Sequence, residues 1–369
     1  MKKLLALLLA LALAFGLVAC GNPAADKSPS PSDGIVADLT QDVLTFAAGD
    51  VAKEEWLFSV NGEQIPASRF LYWLALSCSY FENTYGRYYG YSVADYSSML
   101  YNDTCTSAAY YALLEQKAAE NGCPLTDEQL NAIADEIAAD ETIYQQRKLL
   151  FGLSDEDMEF IYSVTNLYDN LLEALVPVPT EDDLNNYVYQ ARHILLLTVD
   201  MEGTPTTGND GVYRYPALDS KTIAEKKALV EDIMARLRAS DDPETLFNEL
   251  MNKYSEDSGL ATNPDGYTTT LGKMVPEFEG AALALEFGGI SDIVESSYGY
   301  HIILRGEVED LESYSDSCRQ YHMDQLVDQW LSEAEIEQNS VLKDLDVADF
   351  YARYIAWQEA YMAAQDTED

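Results

Sequence analysis

The sequence predicts an α+β protein, in which a mostly helical domain is assembled from the two ends of the chain and a small α+β domain is inserted between them. Three observations predict this. Residues 67–175 are poor in turn breakers and repeat helix-start signals. Residues 187–307 change texture, with an apolar β-type run at each end and amphipathic helices between. Residues 310–369 are helical again but too sparse in apolar residues to form a core alone.

Composition narrows the function. The 369 residues hold 22 Lys and Arg against 64 Asp and Glu, a formal net charge of -42. Nucleic-acid binding needs a basic face, so nucleic acid is excluded as a partner. Docking on anionic lipid through a polybasic patch is excluded for the same reason. Hydrophobic residues make up 47%, enough for sizeable cores.

The N-terminus reads as an address. Lys2 and Lys3 precede an apolar run from Leu4 to Phe15, and Leu17-Val18-Ala19-Cys20 follows. The run is too short for a comfortable membrane span. Leu-Val-Ala-Cys resembles the bacterial lipobox, which implies a signal peptide over 1–19 and a lipid on Cys20. An ordinary secretory signal with an incidental Cys20 is the alternative. The Pro-, Ser-, Asp- and Gly-rich stretch after it reads as a flexible tether, assigned to residues 20–50. The expected location is the outer face of the cell membrane, with the membrane contacted through the lipid only. Cys78, Cys105, Cys123 and Cys318 show no metal-type spacing, and either disulfides or free thiols fit them.

Residues 56–66, WLFSVNGEQIP, place Asn61-Gly62 between apolar residues, the strongest short hairpin signal. Thr126-Asp127-Glu128-Gln129 starts an amphipathic helix with Leu130, Ile133 and Ile137 on one face. Ser154 and Thr180 read as further N-caps with acids in the first turn. Tyr85, Tyr88, Tyr89, Tyr91 and Tyr96 read as rings packing helices together, with a peptide groove as the alternative. Val176-Pro177-Val178-Pro179 breaks the pattern. The domains are therefore 51–186, 187–308 and 309–369. The last packs back on the first through Leu326, Trp330, Ala334, Phe350, Tyr354 and Trp357, unless it forms a separate hairpin.

Within the insert, Ala191 to Leu197 is a strand with His193 near its start, and residues 200–218 are a polar loop. Ile223 to Ala239 is a helix with Ile223, Val230, Met234 and Leu237 on one face. Asp242-Pro243 opens a second helix, which points Phe247, Leu250 and Met251 inward. Residues 254–259 turn, Phe278 to Phe287 is a short helix, and Gly299 to Leu304 is the last strand.

His193 and His301 each open an apolar strand, and pairing of those strands would bring them together, with the Asp257 turn between them in sequence. Two histidines and a carboxylate allow an iron-type metal site, a hydrolase triad with a serine, or two hydrogen-bonded core histidines. No HExxH, HxD or GxSxG pattern accompanies them.

The segments ARHILLL, LFNELMNKYSEDSG and GKMVPEFEGAALALEFGGISDIVESSYGYHIILR, in that order, resemble the parvulin-type peptidyl-prolyl cis-trans isomerases over residues 187–307. The layout of lipobox, helical part, parvulin domain and helical tail resembles the PrsA-type foldase lipoproteins of Gram-positive bacteria. The helical part with its NGE hairpin is similar to a SurA-like chaperone domain. The resemblance implies an FKBP-like fold for the insert, a small antiparallel sheet with helices. It implies catalytic roles for His193, Asp257 and His301, and contact with the substrate proline for Met274, Phe278 and Ser296. It implies X-Pro peptides and unfolded exported proteins as partners, and needs no cofactor or metal. The chain departs from the family where a GGDLGWF-like stretch is usual: here PDGYTTTLGKM stands, with Gly266 matched and Leu271 a candidate for the lost apolar wall. A weakly active or inactive parvulin acting as a holdase is the alternative that this departure keeps open. A solute-binding lipoprotein is a third reading, which the helical flanks do not favour. The loop 200–218 offers only Arg214 among several acids, so no preference for phosphorylated substrates is expected.

Overall fold

The computed structural model describes residues 32–207 and 213–365. The signal segment 1–19 and Cys20 lie outside the described residues. The chain forms two compact units, one of residues 1–177 with 322–369 and the other of residues 178–321.

The first unit begins with helix α1 (Val43–Ala48), which Asp42 caps by accepting from the Thr45 N–H at 2.9 Å. Val43 is fully buried and Leu44 nearly so. The tether reading of 20–50 is corrected here, because the last part of that stretch belongs to a core. Six helical residues are too few to show a period within a turn-rich composition. Strands β1 (Trp56–Val60) and β2 (Glu63–Pro66) form the hairpin that Asn61-Gly62 calls for. Both turn residues have positive φ, 54° and 83°, which favours Asn and Gly there.

Helix α2 (Ala67–Phe81) is buried almost all round, with Phe70, Leu71 and Leu74 fully enclosed. It packs with α3 (Val93–Glu120) and α6 (Asp155–Leu175), where Trp73 stacks on Tyr111 at 4.9 Å. Between α3 and α6 run α4 (Asp127–Ala139) and α5 (Glu141–Phe151). Thr126 and Ser154 each make a full capping box.

The tyrosine run after α2 corrects the packing reading. Glu82–Gly86 is a π-turn and Gly90 is left-handed, so the chain leaves the helix path early. Tyr88 is 80% and Tyr89 68% exposed, and of the five rings Tyr96 packs against the core and Tyr85 lies 5.5 Å from buried Phe81.

The second unit opens with α7 (Glu181–Tyr187), capped by a Thr180–Asp183 box. Leu184 and Tyr187 pack with Val188 and Cys318, so this helix and residues up to 321 belong to the unit. Strand β3 (Val188–Leu197) is followed by α8 (Ser220–Arg238), α9 (Pro243–Tyr254), β4 (Tyr267–Thr270) and α10 (Pro276–Leu283). Then come β5 (Val294–Glu295) and β6 (Gly299–Gly306). Helix α10 ends before the Phe287 expected from sequence. Leu285 still packs beside it, but Gly288 turns with φ 76°.

The sheet order is β4-β3-β6-β5, antiparallel throughout. Ile194, Leu196, Ile302 and Leu304 face α8 and α9, whose Val230, Ile233, Phe247 and Leu250 close that side. Tyr189, Ala191 and Ile303 face α10, with its Phe278 and Ala282. Both faces are buried, which is why the strands read as unbroken apolar runs.

Helix α11 (Ser315–Glu333) places Met323, Val327 and Trp330 in the core of the first unit. Strand β7 (Ile336–Gln338) pairs with β1, and α12 (Val347–Gln365) buries Phe350, Tyr354 and Trp357 in the same core. The C-terminal segment thus completes the helical unit. The four cysteines among the described residues are free thiols, with Cys78 and Cys318 buried.

Candidate active site

The β3–β6 register sets His193 opposite Ile303 and His301 opposite Leu195. The two histidines therefore share a sheet face, two residues out of step. Their ring planes are 12° apart and their Nδ1 atoms 3.2 Å apart.

Asp257 reaches them because the chain after α9 is laced along β3. The Leu195 N–H donates to Ser255 Oγ, the Glu256 N–H donates to the Leu195 carbonyl, and the Leu197 N–H donates to Glu256 Oε2. This delivers Asp257 Oδ2 to 3.0 Å from His193 Nε2. The Gly259 N–H donates to Oδ1 at 3.0 Å and the Tyr267 hydroxyl to Oδ2 at 2.6 Å. At the other end Ser296 Oγ lies 2.7 Å from His301 Nε2 and accepts from the Tyr298 N–H at 3.1 Å.

Proton positions follow by exclusion for two neutral rings. Ionised Asp257 can only accept, so His193 Nε2 carries a proton and its Nδ1 accepts. His301 Nδ1 then donates to it, and His301 Nε2 accepts from the Ser296 hydroxyl. The result is one directed chain, from the Tyr298 N–H through Ser296, His301 and His193 to Asp257. Every ring nitrogen in it is occupied.

The electrostatics agree with this arrangement. Burial pushes the Asp257 carboxyl up, but donation from His193, Tyr267 and the Gly259 N–H outweighs it and holds the group at about 2. Burial, helped by the neighbouring His193, lowers His301 to about 3 against a weak opposing pull from Asp257. Burial and then Asp257 raise the Tyr267 hydroxyl to about 12, so it is a donor at any working pH.

Phe278 seals the apolar side, its ring 5.2 Å from His193 and 5.6 Å from His301, edge to face. Met274 is half-buried in the same cluster. The structure thus brings His193, Asp257, His301 and Ser296 into one hydrogen-bonded array, with Phe278 and Met274 beside it. Leu271 is not part of it and packs with Leu184, Tyr187 and Val188 instead. Thr269 pairs with Tyr189, on the face that carries Ala191 and His193.

Sequence reasoning missed Tyr267. It begins a short edge strand of three threonines, and no spacing ties it to Asp257. The one legible signal is glycine. A Cβ on Gly259 would fall 2.0 Å from the Tyr267 hydroxyl, and one on Gly266, whose φ is +86°, 2.4 Å from the Ala191 carbonyl. Both glycines let Tyr267 close on Asp257.

Residues 193–307 match the rotamase family, the PPIC-type PPIASE domain. The four polar site residues and the two apolar ones all lie inside this parvulin-type domain. The chain is 39% identical over 127 residues to a foldase protein PrsA of Halalkalibacterium halodurans, covering 34% of this chain and 35% of that one. It is 31% identical over 212 residues to the PrsA of Oceanobacillus iheyensis, covering 54% and 59% respectively. The chain therefore matches less than two thirds of the length of these relatives. A crystal structure of the peptidylprolyl isomerase PrsA from Bacillus cereus aligns with a TM-score of 0.37 at 22% identity, over 72% of this chain and 94% of that one.

Proposed function

We propose that this protein is an extracytoplasmic peptidyl-prolyl cis-trans isomerase and foldase for exported proteins. The observation that carries the reading is the closed chain Ser296–His301–His193–Asp257 set against Phe278 and Met274. Rotation of an X-Pro bond crosses a barrier of roughly 18–20 kcal/mol and breaks no covalent bond. It needs a grip on the proline ring and an environment that favours the twisted amide over the planar one. Phe278 and Met274 supply the apolar grip. The histidines have no free ring nitrogen, so their role is to fix Asp257 and the pocket floor, and the fixed carboxylate supplies the field. Asp257 is thus assigned the catalytic role, His193 and His301 hold it in position, and Met274, Phe278 and Ser296 line the substrate site.

The experiment is isomerisation of an X-Pro peptide series by the full chain. Acceleration supports the enzyme. None from a folded sample moves the weight to a holdase, the reading favoured by Thr269 standing on the site face in place of an apolar wall. Attachment through a lipid on Cys20 belongs to the same proposal. Among the described residues no helix is long and apolar enough to cross a membrane. Palmitate labelling that disappears in Cys20→Ala checks the anchor.

Two expectations follow from the site. Tyr267→Phe removes one strong hydrogen bond from Asp257, so kcat/KM should fall about three- to tenfold. The acidic limb of the pH profile should also move upward as the Asp257 carboxyl becomes easier to protonate. A merely structural role would leave that limb in place.

The His301 ring should show no protonation by NMR until the pH falls well below 6.5, towards about 3. The unfolded chain takes up that proton near 6.5. Stability is therefore complete above 6.5 and declines by at most about 1.4 kcal/mol per pH unit down to the folded value. Asp257 acts in the same direction lower down, its contribution present above 3.8 and lost towards about 2.

A further inference from the structure

A cavity of about 500 Å³ opens in the helical unit, bounded by β2, α2, α3, α4 and α6. Its size falls within the usual range of ligand pockets, about 300–1,000 Å³. One wall is apolar: Ile133 and Ile137 of α4 face Trp73 and Phe160. The other is acidic, with Glu63, Glu115, Glu156 and Glu159.

The one cation of the lining, Arg69, is already committed. Its Nε donates to Asp157 at 3.1 Å, and its guanidinium lies 4.2 Å from the centre of the Phe160 ring. Its Nη1 is 3.5 Å from Glu115, a side chain 42% exposed. Burial raises the Glu115 carboxyl, Arg69 lowers it, and Glu63 and Glu156 raise it further, so the glutamates repel one another across this space. Arg69 meets Glu115 only at 3.5 Å, and Glu63 accepts from the neutral Gln116 amide at 2.9 Å, so four carboxylates beside an apolar wall share one cation that is already paired with Asp157. Among the described residues no three of these groups converge to hold a metal ion. The complement is therefore an extended organic cation with an apolar neighbour.

We propose that this cavity is a second polypeptide-binding site, which takes a lysine or arginine side chain together with an adjacent apolar side chain from an unfolded segment. The inference uses the foldase reading only for the source of that segment. The apolar side chain fills the Ile133–Phe160 wall. The cation lies among Glu63, Glu115 and Glu159, of which the half-buried Glu115 attracts it more strongly than a carboxylate at open surface would. The site selects basic amphipathic segments and rejects acidic ones, a specificity independent of proline.

The test uses fluorescence anisotropy on the full chain with proline-free peptides of one design, in which alternate apolar residues are separated by Lys, Gln or Glu. The Lys peptide should bind about tenfold or more tighter than the Glu peptide at moderate salt, and the difference should shrink in high salt. Two variants should lower Lys-peptide affinity several-fold: the pair Glu115→Gln with Glu159→Gln, and Ala134→Trp, which fills the cavity from the exposed face of α4. A control pair of equal charge on the other unit, Glu181→Gln with Asp182→Asn, should leave affinity unchanged, which separates the cavity from the net charge of the chain. Isomerisation of a short X-Pro peptide is followed in the same samples. Equal binding of Lys and Glu peptides overturns the proposal, as does full Lys-peptide affinity in either cavity variant. Loss of affinity in the control pair equal to that in the cavity pair also overturns it. Charge-selective binding without isomerisation keeps this site and removes the enzyme reading; isomerisation without it does the reverse.

Discussion

Asp257→Ala is expected to slow X-Pro isomerisation by about ten- to a hundredfold. The carboxylate accepts from His193, Tyr267 and the Gly259 N–H, and truncation strands all three donors. His193 is only 12% exposed at its side chain, so its Nε2 proton cannot turn to bulk water at no cost. An unmet buried donor costs about 1–3 kcal/mol. If that loss falls on the transition state, it corresponds to the stated fall in rate. Asp257→Asn should fall between wild type and alanine, because an amide oxygen in the place of Oδ2 can still accept from His193 and Tyr267, while the amide nitrogen cannot accept from the Gly259 N–H. The fold can be checked in the same samples. All four tryptophans, Trp56, Trp73, Trp330 and Trp357, lie in the helical unit, so the domain that carries Asp257 is checked by far-UV circular dichroism, which should keep its wild-type signal while the rate drops. Full activity in Asp257→Ala would remove Asp257 from the mechanism and leave a pocket that works by shape alone.

Much of the fold was legible in the sequence because local chemistry and tertiary packing agree. Asn61-Gly62 names its turn, and the helix starts read at Thr126, Ser154 and Thr180 are formed, each closed by a full capping box. The inserted antiparallel sheet was legible from its two long buried strands. Its edges were not: β4 is four residues with three threonines, and β5 is two residues long. Such strands exist through pairing with β3 and β6 rather than through their own pattern. The two histidines were legible as a pair because each opens a strand. Tyr267 was not, because its contact depends on a close approach over Gly259. The exposed tyrosines mislead for a related reason. A π-turn at Glu82–Gly86 shifts the rings of Tyr88, Tyr89 and Tyr91 off the helical face that their spacing implies. Leu271 misleads because parity would set it on the face of Thr269, but the strand ends at Thr270 and Leu271 turns into the packing of α7.

The largest expected loss of stability lies in the helical unit, at Asp157. This carboxylate is fully buried. It accepts from Arg69 Nε at 3.1 Å, from the Ser68 hydroxyl at 2.6 Å, and from the Ser154 hydroxyl and N–H at 2.8 and 3.1 Å. It is therefore both the N3 partner of the α6 capping box and the counter-charge of a buried guanidinium. Asp157→Ala should cost about 3–5 kcal/mol, because it leaves Arg69 enclosed with only a 3.5 Å contact to Glu115. Against a typical folding stability of about 5–15 kcal/mol, that is enough to lower the melting point sharply. Trp73, which meets Phe160 edge to face, reports it directly. The pair Arg69→Met with Asp157→Leu removes both charges and should recover much of the loss, which the alanine variant cannot. The same change bears on the cavity. Freed from Asp157, Arg69 turns to Glu115 and neutralises part of the acidic wall. A mildly destabilised Asp157→Asn chain should therefore also bind the Lys peptide less tightly. If it melts lower but keeps full charge preference, Arg69 does not set the charge of the cavity, and the four glutamates act alone.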